Sequence, residues 1–256
     1  MSDAKKIMEM IKEHDITYVD LRFTDTLGKM QHVTQHIDTI DEDALNEGFM
    51  FDGSSIAGWK AINDSDMTLM PDLYRAYIDP FFAQPTLALF CDVLEPSSGE
   101  AYDRDPRGTA KAALAHIETL GIADTAFFGP EAEFFIFEDV KIDVSMNRGL
   151  YSVDSVEGPY NSARKYGEGN LGHRPGVKGG YFPVPPVDSG QDIRSEMVSV
   201  MADMGVAVEK HHHEVAPSQH ELGIKFGTLL ETADNMQLYK YCVHQVAHAY
   251  GVTATF

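Results

Sequence analysis

Residues 209–226 read EKHHHEVAPSQHELGIKF, eighteen positions carrying three carboxylates and four imidazoles. Val206-Ala207-Val208 ahead of this stretch and Leu222-Gly223-Ile224 near its end read as β-structure, and Ala216-Pro217-Ser218-Gln219 supplies turn chemistry. The spacing therefore predicts a β-hairpin. In it Glu214 closes one strand and Glu221 opens the next, which brings both carboxylates to one end of a sheet. Hard divalent cations such as Mg²⁺ or Mn²⁺ favour oxygen ligands of this kind. A zinc site built from His211, His212 and His213 is disfavoured, because adjacent residues of a strand point to opposite faces. Taken alone, the stretch supports two readings, a hard-cation site and a solvated face.

Upstream, residues 127–138 read FFGPEAEFFIFE. After Gly129-Pro130 the alternation is strict: Glu131, Glu133, Phe135 and Phe137 share one face, with Ala132, Phe134 and Ile136 on the other. Two carboxylates two residues apart on one face repel unless a cation sits beside them. Glu131 and Glu133 are thus candidates for a bridged pair of metal sites, with a surface strand as the alternative.

Working outward, residues 3–14 carry Ile7, Met8 and Ile11 at helical spacing. Strands are expected over 16–23 and 29–37 with a turn at 25–28, then a short helix near 41–47 and a strand over 86–93. Residues 50–59, MFDGSSIAGW, place a carboxylate and two hydroxyls at the tip of a loop flanked by Met50, Phe51, Ile56 and Trp59. Gly53 permits positive φ there. This is either a plain surface loop or a binding loop on aromatic anchors. Residues 95–107 read as a linker, and 106–120 as a helix closed by Gly121. The domain boundary is expected near 105, giving domains 1–105 and 106–256. Residues 139–172 read as a loop-rich insert. Lys178-Gly179-Gly180 and the prolines after it form an extended segment that could approach phosphate, without a Walker motif. Residues 189–204 form a helix with Ile193, Met197, Val200, Met201 and Met204 inward. A long helix over 229–250 is expected to present Leu230, Ala233, Met236, Val243, Val246 and Tyr250 along one face. The mixture of helices and strands is that of an α+β protein.

The composition narrows the function classes. Forty acidic against twenty basic residues give a net charge of −20, which repels nucleic acid and anionic membranes. The two cysteines, Cys91 and Cys242, form no spaced motif. They read as buried thiols of a reducing compartment. No stretch reaches the ~20 apolar residues of a membrane span, and the N-terminus lacks a signal peptide, so a cytoplasmic protein is expected.

Together, MFDGSSIAGW, GPEAEFFIFE, GHRPGVKGGYFPVPPVDSGQDIRSEM and EKHHHEVAPSQHELGIKF resemble glutamine synthetase of the bacterial type I class, in that family's order and over most of residues 49–256. The resemblance implies a small N-terminal β-grasp domain followed by a catalytic α+β domain with an antiparallel sheet and flanking helices. It also implies ligation of ammonium to L-glutamate, driven by ATP, through γ-glutamyl phosphate. Two or more Mg²⁺ or Mn²⁺ ions would serve each site. By the same resemblance, Glu133, Glu214 and Glu221 hold one ion and Glu131 belongs to its neighbour. Glu209 contacts nucleotide, Phe226 lies near adenosine, and Tyr181 sits at the ammonium end. Asp52, with Ser55 beside it, binds ammonium and takes its proton. This loop is expected to reach a neighbouring subunit, in a homo-oligomer built as a double hexameric ring.

Two departures accompany the resemblance. The Glu214–Glu221 spacing is seven, one less than in some type I members. The sequence stops before the family's Asn-Gly-Ser-Gly-Met-His segment, its later metal-binding glutamate and its substrate-gripping arginines. The 256-residue chain alone is therefore expected to be inactive. Rival functions are a γ-glutamyl ligase acting on amines or polyamines and a non-catalytic metal-binding or assembly fragment. The intact FDGSS loop favours ammonium, because Asp52 would hold a small cation where a bulky amine needs room.

Overall fold

A period of two in the first strands sets one face of a sheet against an apolar core. Val19, Leu21 and Phe23 turn inward from β1 (Tyr18–Thr24) and all are buried. The computed structural model describes residues 3–158 and 172–256. It divides into two compact units, residues 1–128 with 228–234, and residues 129–227 with 235–256.

In the first unit, α1 (Asp3–Glu13) buries Ala4, Ile7 and Ile11. β1 turns into β2 (Met30–His36) through a loop in which the Asp25 carboxylate accepts from the amides of Leu27 and Lys29, each at 2.9 Å. α2 (Glu42–Glu47) is capped by Asp41, whose side chain accepts from the Ala44 amide at 2.8 Å. β3 (Phe49–Asp52), β4 (Asp66–Ile78) and β5 (Thr86–Leu94) complete a five-stranded sheet of order β2-β1-β5-β4-β3. Only β1 and β5 pair in parallel. The sheet's centre is apolar: Val19, Leu21, Leu87, Leu89 and Val93 are fully buried.

α3 (Pro106–Leu120) follows, with Asp105 accepting from the Arg107 and Gly108 amides and Gly121 in the left-handed region at φ 65°. The stretch read as a linker is instead tied down. Leu94 bridges Ala101, and Tyr102, Asp105 and Arg107 are buried. Arg107 donates to Asp92 at 2.6 Å, to Asp234 at 3.1 Å and to Asp72. Composition suggested a linker because charge is normally solvated; here one guanidinium collects three carboxylates. A two-residue strand, β6 (Phe127–Phe128), lies near the end of this stretch.

In the second unit, β7 (Glu133–Phe137), β10 (Val208–His213), β11 (Gln219–Ile224) and β13 (Thr253–Thr255) form an antiparallel sheet of order β10-β11-β7-β13. Between them, β8 (Asp139–Ser145) and β9 (Arg148–Asp154) make a regular hairpin where a loop-rich insert was expected. Its period-two pattern was obscured because Ile142, Val144, Leu150 and Tyr151 are exposed. Residues 159–171 of that expected insert lie outside the described residues. α4 (Gln191–Asp203) buries Ile193, Met197 and Met201 as expected, and also Arg194. A two-residue strand β12 (Gly227–Thr228) precedes α5 (Leu229–Ala249). The buried face of α5 keeps the expected Val243 and Val246 but otherwise differs from the expected one. Leu238, Tyr239, Cys242, Val243, Val246 and Ala247 are buried, whereas Ala233 and Tyr250 are exposed. No helix among the described residues is long and apolar enough to cross a membrane.

Candidate metal centre

The hairpin expected from residues 209–226 is β10 and β11, whose register pairs His211 with Leu222, His212 with Glu221 and His213 with His220. On the other side of β11, Glu221 pairs with Glu133 and His220 with Phe134 of β7. Cross-strand partners share a face. His212, Glu221 and Glu133 therefore form a row across three strands, while His211, His213, His220 and Phe134 face the opposite side.

Glu214 follows β10 directly. Its Oε1 lies 3.4 Å from His212 Nδ1, and Glu221 Oε2 lies 3.6 Å from His212 Nε2. Ligand atoms of His212, Glu214 and Glu221 all lie within 4.8 Å of one another. Glu133 stands beside this group, with its carboxylate accepting from the Gln219 side-chain amide. Burial pushes the Glu221 carboxyl up, and the charges of Glu214 and Glu131 add to that against the pull of His212. His212 Nδ1 is buried and makes no hydrogen bond among the described residues. Two buried carboxylates, a third in register with one of them and an orphaned imidazole nitrogen fit a divalent cation: among the described residues no lysine or arginine pairs with the set, and it presents an open donor. His212 was not singled out from the sequence, although the alternation that excluded a three-histidine site leaves one histidine on the carboxylate face.

The other expected residues lie as follows. Glu131 precedes β7 and is exposed, as is Glu133. Glu209 is exposed at the register shift in β10. Phe226 is largely exposed, with its Cβ close to Gly129. Tyr181 stacks on Phe182 at 3.9 Å between centroids, and both rings meet His212 edge-on, at 5.8 and 4.8 Å. The Gly179-Gly180 pair serves a close backbone approach. Gly180 N donates to Val215 O at 3.1 Å, and a Cβ at Gly180 would stand 2.5 Å from Glu214 O.

On the opposite face lies a buried polar network that the sequence reading missed. Arg194, fully buried, binds Asp188 through two nitrogens, at 2.9 and 2.5 Å. It also donates to His220 Nδ1 at 2.9 Å and to His211 Nδ1 at 3.2 Å. Burial and then the Arg194 charge hold both imidazoles below their ordinary value, His220 down to about 3. A cavity of about 310 Å³ opens on this face, lined in part by Glu138, Glu157, Ser189 and His220. None of the carboxylate cluster lines it, so it is not the candidate centre. The signal for the network was Arg194 itself, a charge placed on the same helical stripe as Met197 and Met201.

In the first unit, the loop expected to bind is anchored as its aromatics suggested. Trp59 is buried against Phe23 at 5.6 Å and Tyr102 at 5.3 Å, and its Nε1 donates to Thr26 Oγ1 at 2.8 Å. A single 3₁₀ turn, Gly53–Ser55, carries Ser55. Asp52 is exposed, and its Oδ1 accepts from Ser54 N at 2.8 Å and Ser54 Oγ at 2.6 Å. These bonds, the hydroxyl's first, hold its carboxyl below the usual range. Gly53 does not take the positive φ expected of it. A Cβ at this position would stand 2.2 Å from Met67 Sδ, so any larger residue must displace that side chain.

Two family models match the chain: "Glutamine synthetase, beta-Grasp domain" over residues 15–96, and "Glutamine synthetase, catalytic domain" over residues 103–256. Glutamine synthetase of Azospirillum brasilense is 68% identical over 256 residues, all of this chain and 55% of that protein. The enzyme of Rhizobium meliloti (strain 1021) is 62% identical over the same coverage. A cryo-EM structure of Plasmodium falciparum glutamine synthetase superposes with a TM-score of 0.90 at 28% identity, covering 100% of this chain and 50% of that one. The chain thus spans about half the length of the curated relatives it matches.

Proposed function

The chain belongs to the glutamine synthetase family, and from that premise we propose that the protein carrying it joins ammonia to L-glutamate with ATP, through γ-glutamyl phosphate. The observation that carries this reading is the row of His212, Glu221 and Glu133 with Glu214 at its end. Glu133, Glu214 and Glu221 would hold one Mg²⁺ or Mn²⁺, and Glu131 would contribute to a second. Such ions supply charge neutralisation between the phosphates and the attacking carboxylate.

In the first step a γ-carboxylate oxygen of glutamate attacks the γ-phosphorus, and the bond to ADP breaks. In the second, ammonia attacks the acyl carbon and phosphate leaves with the bonding pair. Asp52 suits the proton transfer that the second step needs. Its Oδ1 is engaged by Ser54, which leaves Oδ2 without a partner among the described residues. There it can accept a hydrogen bond from ammonium and take the proton, with Ser55 beside it. Tyr181, edge-on to His212, suits the wall at the ammonium end. Glu209 and Phe226, both exposed, suit the nucleotide.

The exposed apolar residues of the β8–β9 hairpin support a homo-oligomer, as a face of this kind calls for a partner. We read the assembly as a double hexameric ring with sites completed between subunits, and the domain boundary as lying near residue 105. Cys91 and Cys242, buried as thiols, suit a cytoplasmic protein. The test is ADP formation by the complete protein. Rates that require both glutamate and ammonium, and that methylamine or putrescine cannot sustain, are expected. ADP formation indifferent to glutamate would overturn the reading.

A further inference from the structure

Among the described residues, Glu157 is the most heavily engaged carboxylate on the buried face of the second sheet, and the proposed catalysis gives it no part. It is 3% exposed. Its Oε1 accepts from Ser189 Oγ at 2.6 Å and Ser189 N at 3.3 Å. Its Oε2 receives two donors, His213 Nε2 at 2.7 Å and Ser218 N at 2.7 Å. The other nitrogen of the same imidazole, His213 Nδ1, donates to Glu214 O at 2.6 Å. One oxygen atom therefore ties together the residue before Glu214 and the residue three before Glu221.

The turn between those two carboxylates needs such a tie. Ser218 sits at φ 66°, in the left-handed region that a residue with a Cβ resists. Its amide is held by Glu157 and its hydroxyl by Ser155. The next residue, Gln219, spends its side chain on the site: Oε1 accepts from Ala216 N at 3.0 Å and Nε2 donates to Glu133. A shift at Ser218 would therefore be felt at Glu133, Glu214 and Glu221 together. Without the Glu157 bonds, the turn would relax toward a conformation easier for serine, and the carboxylates would separate.

We infer that Glu157 is a positioning residue for the cation site, fixing the spacing of Glu214 and Glu221 from the far side of the sheet through the His213 ring and the Ser218 amide. It touches no substrate or ion. The inference rests on the reading of Glu133, Glu214 and Glu221 as cation ligands, and groups that orient metal ligands from behind typically control affinity by about 10–100-fold.

The experiment measures Mn²⁺ binding to the complete protein by electron paramagnetic resonance of the free ion, with no nucleotide present. Glu157→Gln keeps the size and some acceptor capacity but removes the charge that holds His213. It is expected to weaken Mn²⁺ binding about tenfold. In turnover it should raise the Mn²⁺ requirement while kcat at saturating Mn²⁺ stays near that of the unaltered protein. Asp188→Asn, in the same buried layer but bonded to Arg194 instead, should lower the melting temperature and leave Mn²⁺ affinity unchanged. Mn²⁺ binding by Glu157→Gln within about twofold of the parent overturns the proposal. So does an equal loss of affinity in Asp188→Asn at matched loss of stability. Glu221→Ala separates the levels. If it binds Mn²⁺ normally, the cation-site reading fails and the positioning role with it. If it loses binding while Glu157→Gln does not, the positioning role alone fails.

Discussion

The two sheets handle charge in opposite ways. In the five-stranded sheet each buried charge has a counter-charge on the same face. Arg22 donates to Asp20 at 2.7 Å, and also to Asp79 and to the Tyr77 hydroxyl. The opposite face is an uninterrupted apolar core from Val19 to Val93. In the four-stranded sheet the charges are sorted by face. Arg194 lies on the buried side with Asp188, while Glu133, Glu214 and Glu221 gather on the other, where no lysine or arginine among the described residues forms an ion pair with them. A paired set is complete in itself, and only the loss of one partner makes it costly. A sorted, unneutralised set costs stability until a cation arrives, and such local violations mark functional sites.

The largest effect is expected from removing a carboxylate of the unneutralised row. Glu221→Ala should abolish the rise in melting temperature that Mg²⁺ or Mn²⁺ gives the complete protein, since an ion bound only by the folded state stabilises it by mass action. Activity should fall by more than about a hundredfold. An unchanged metal-dependent shift in a thermal scan would mean that the row is ordinary surface. The counterpart in the first sheet is Leu21→Ala. Leu21 is fully buried, so the cavity should cost about 3 kcal/mol in urea unfolding while the metal-induced shift persists. Loss of the metal response in this variant would show that the contrast between the sheets is false.

Two glycines separate the sheets at smaller amplitude. A Cβ at Gly180 meets the backbone oxygen of Glu214 at 2.5 Å, whereas at Gly53 it meets the side chain of Met67, Sδ at 2.2 Å and Cγ at 2.8 Å. A carbonyl in a hydrogen-bonded hairpin cannot swing aside and a thioether can. Gly180→Ala should therefore cost about 2–3 kcal/mol and weaken Mn²⁺ binding, and Gly53→Ala only about 1 kcal/mol with binding intact. Equal costs in denaturant melts, or the reverse order, would contradict the argument.

Much of this was legible in the sequence because it is written in short-range patterns. The β10–β11 hairpin followed from turn chemistry at 216–219 between apolar runs, and the outward face of β7 from strict alternation. Gly121 closes α3 in the left-handed region, as the helix read over 106–120 requires. What escaped depended on partners distant in sequence. Glu157 and Ser218 are 61 residues apart, and Arg107 and Asp234 are 127 apart; no local pattern announces either contact. The stripe on α5 is right at Val243 and Val246 and wrong at Ala233 and Tyr250 for the same reason. Both Ala233 and Leu238 fit a helical apolar face by composition, and only packing chooses between them.

The smallest expected effect lies in one histidine of the paired sheet. His32 Nδ1 donates to Asp20 Oδ1 at 2.7 Å, with its own side chain 57% exposed and Asp20 fully buried. The bond to Asp20 is the main cause of a raised His32 value. Burial opposes it, the Asp20 charge adds to it, and Arg22 and Asp79 pull in opposite directions. The sign follows from linkage. A histidine raised in the folded state stabilises the fold fully below its ordinary value of 6.5, and that stabilisation is lost as pH rises through the folded value. His211 and His220 of the other sheet are lowered and so act in the opposite sense as pH falls. A melt of the unaltered protein alone would mix the two. The difference between the parent and His32→Gln isolates the first. Because the ring is largely solvated, the expected advantage of the parent is small, about 0.5 kcal/mol near about pH 5.5. It should shrink toward zero by about pH 8.5. A difference that is flat across that window, or that grows with pH, would show that Asp20 is satisfied by Arg22 and Thr34 without help from the imidazole.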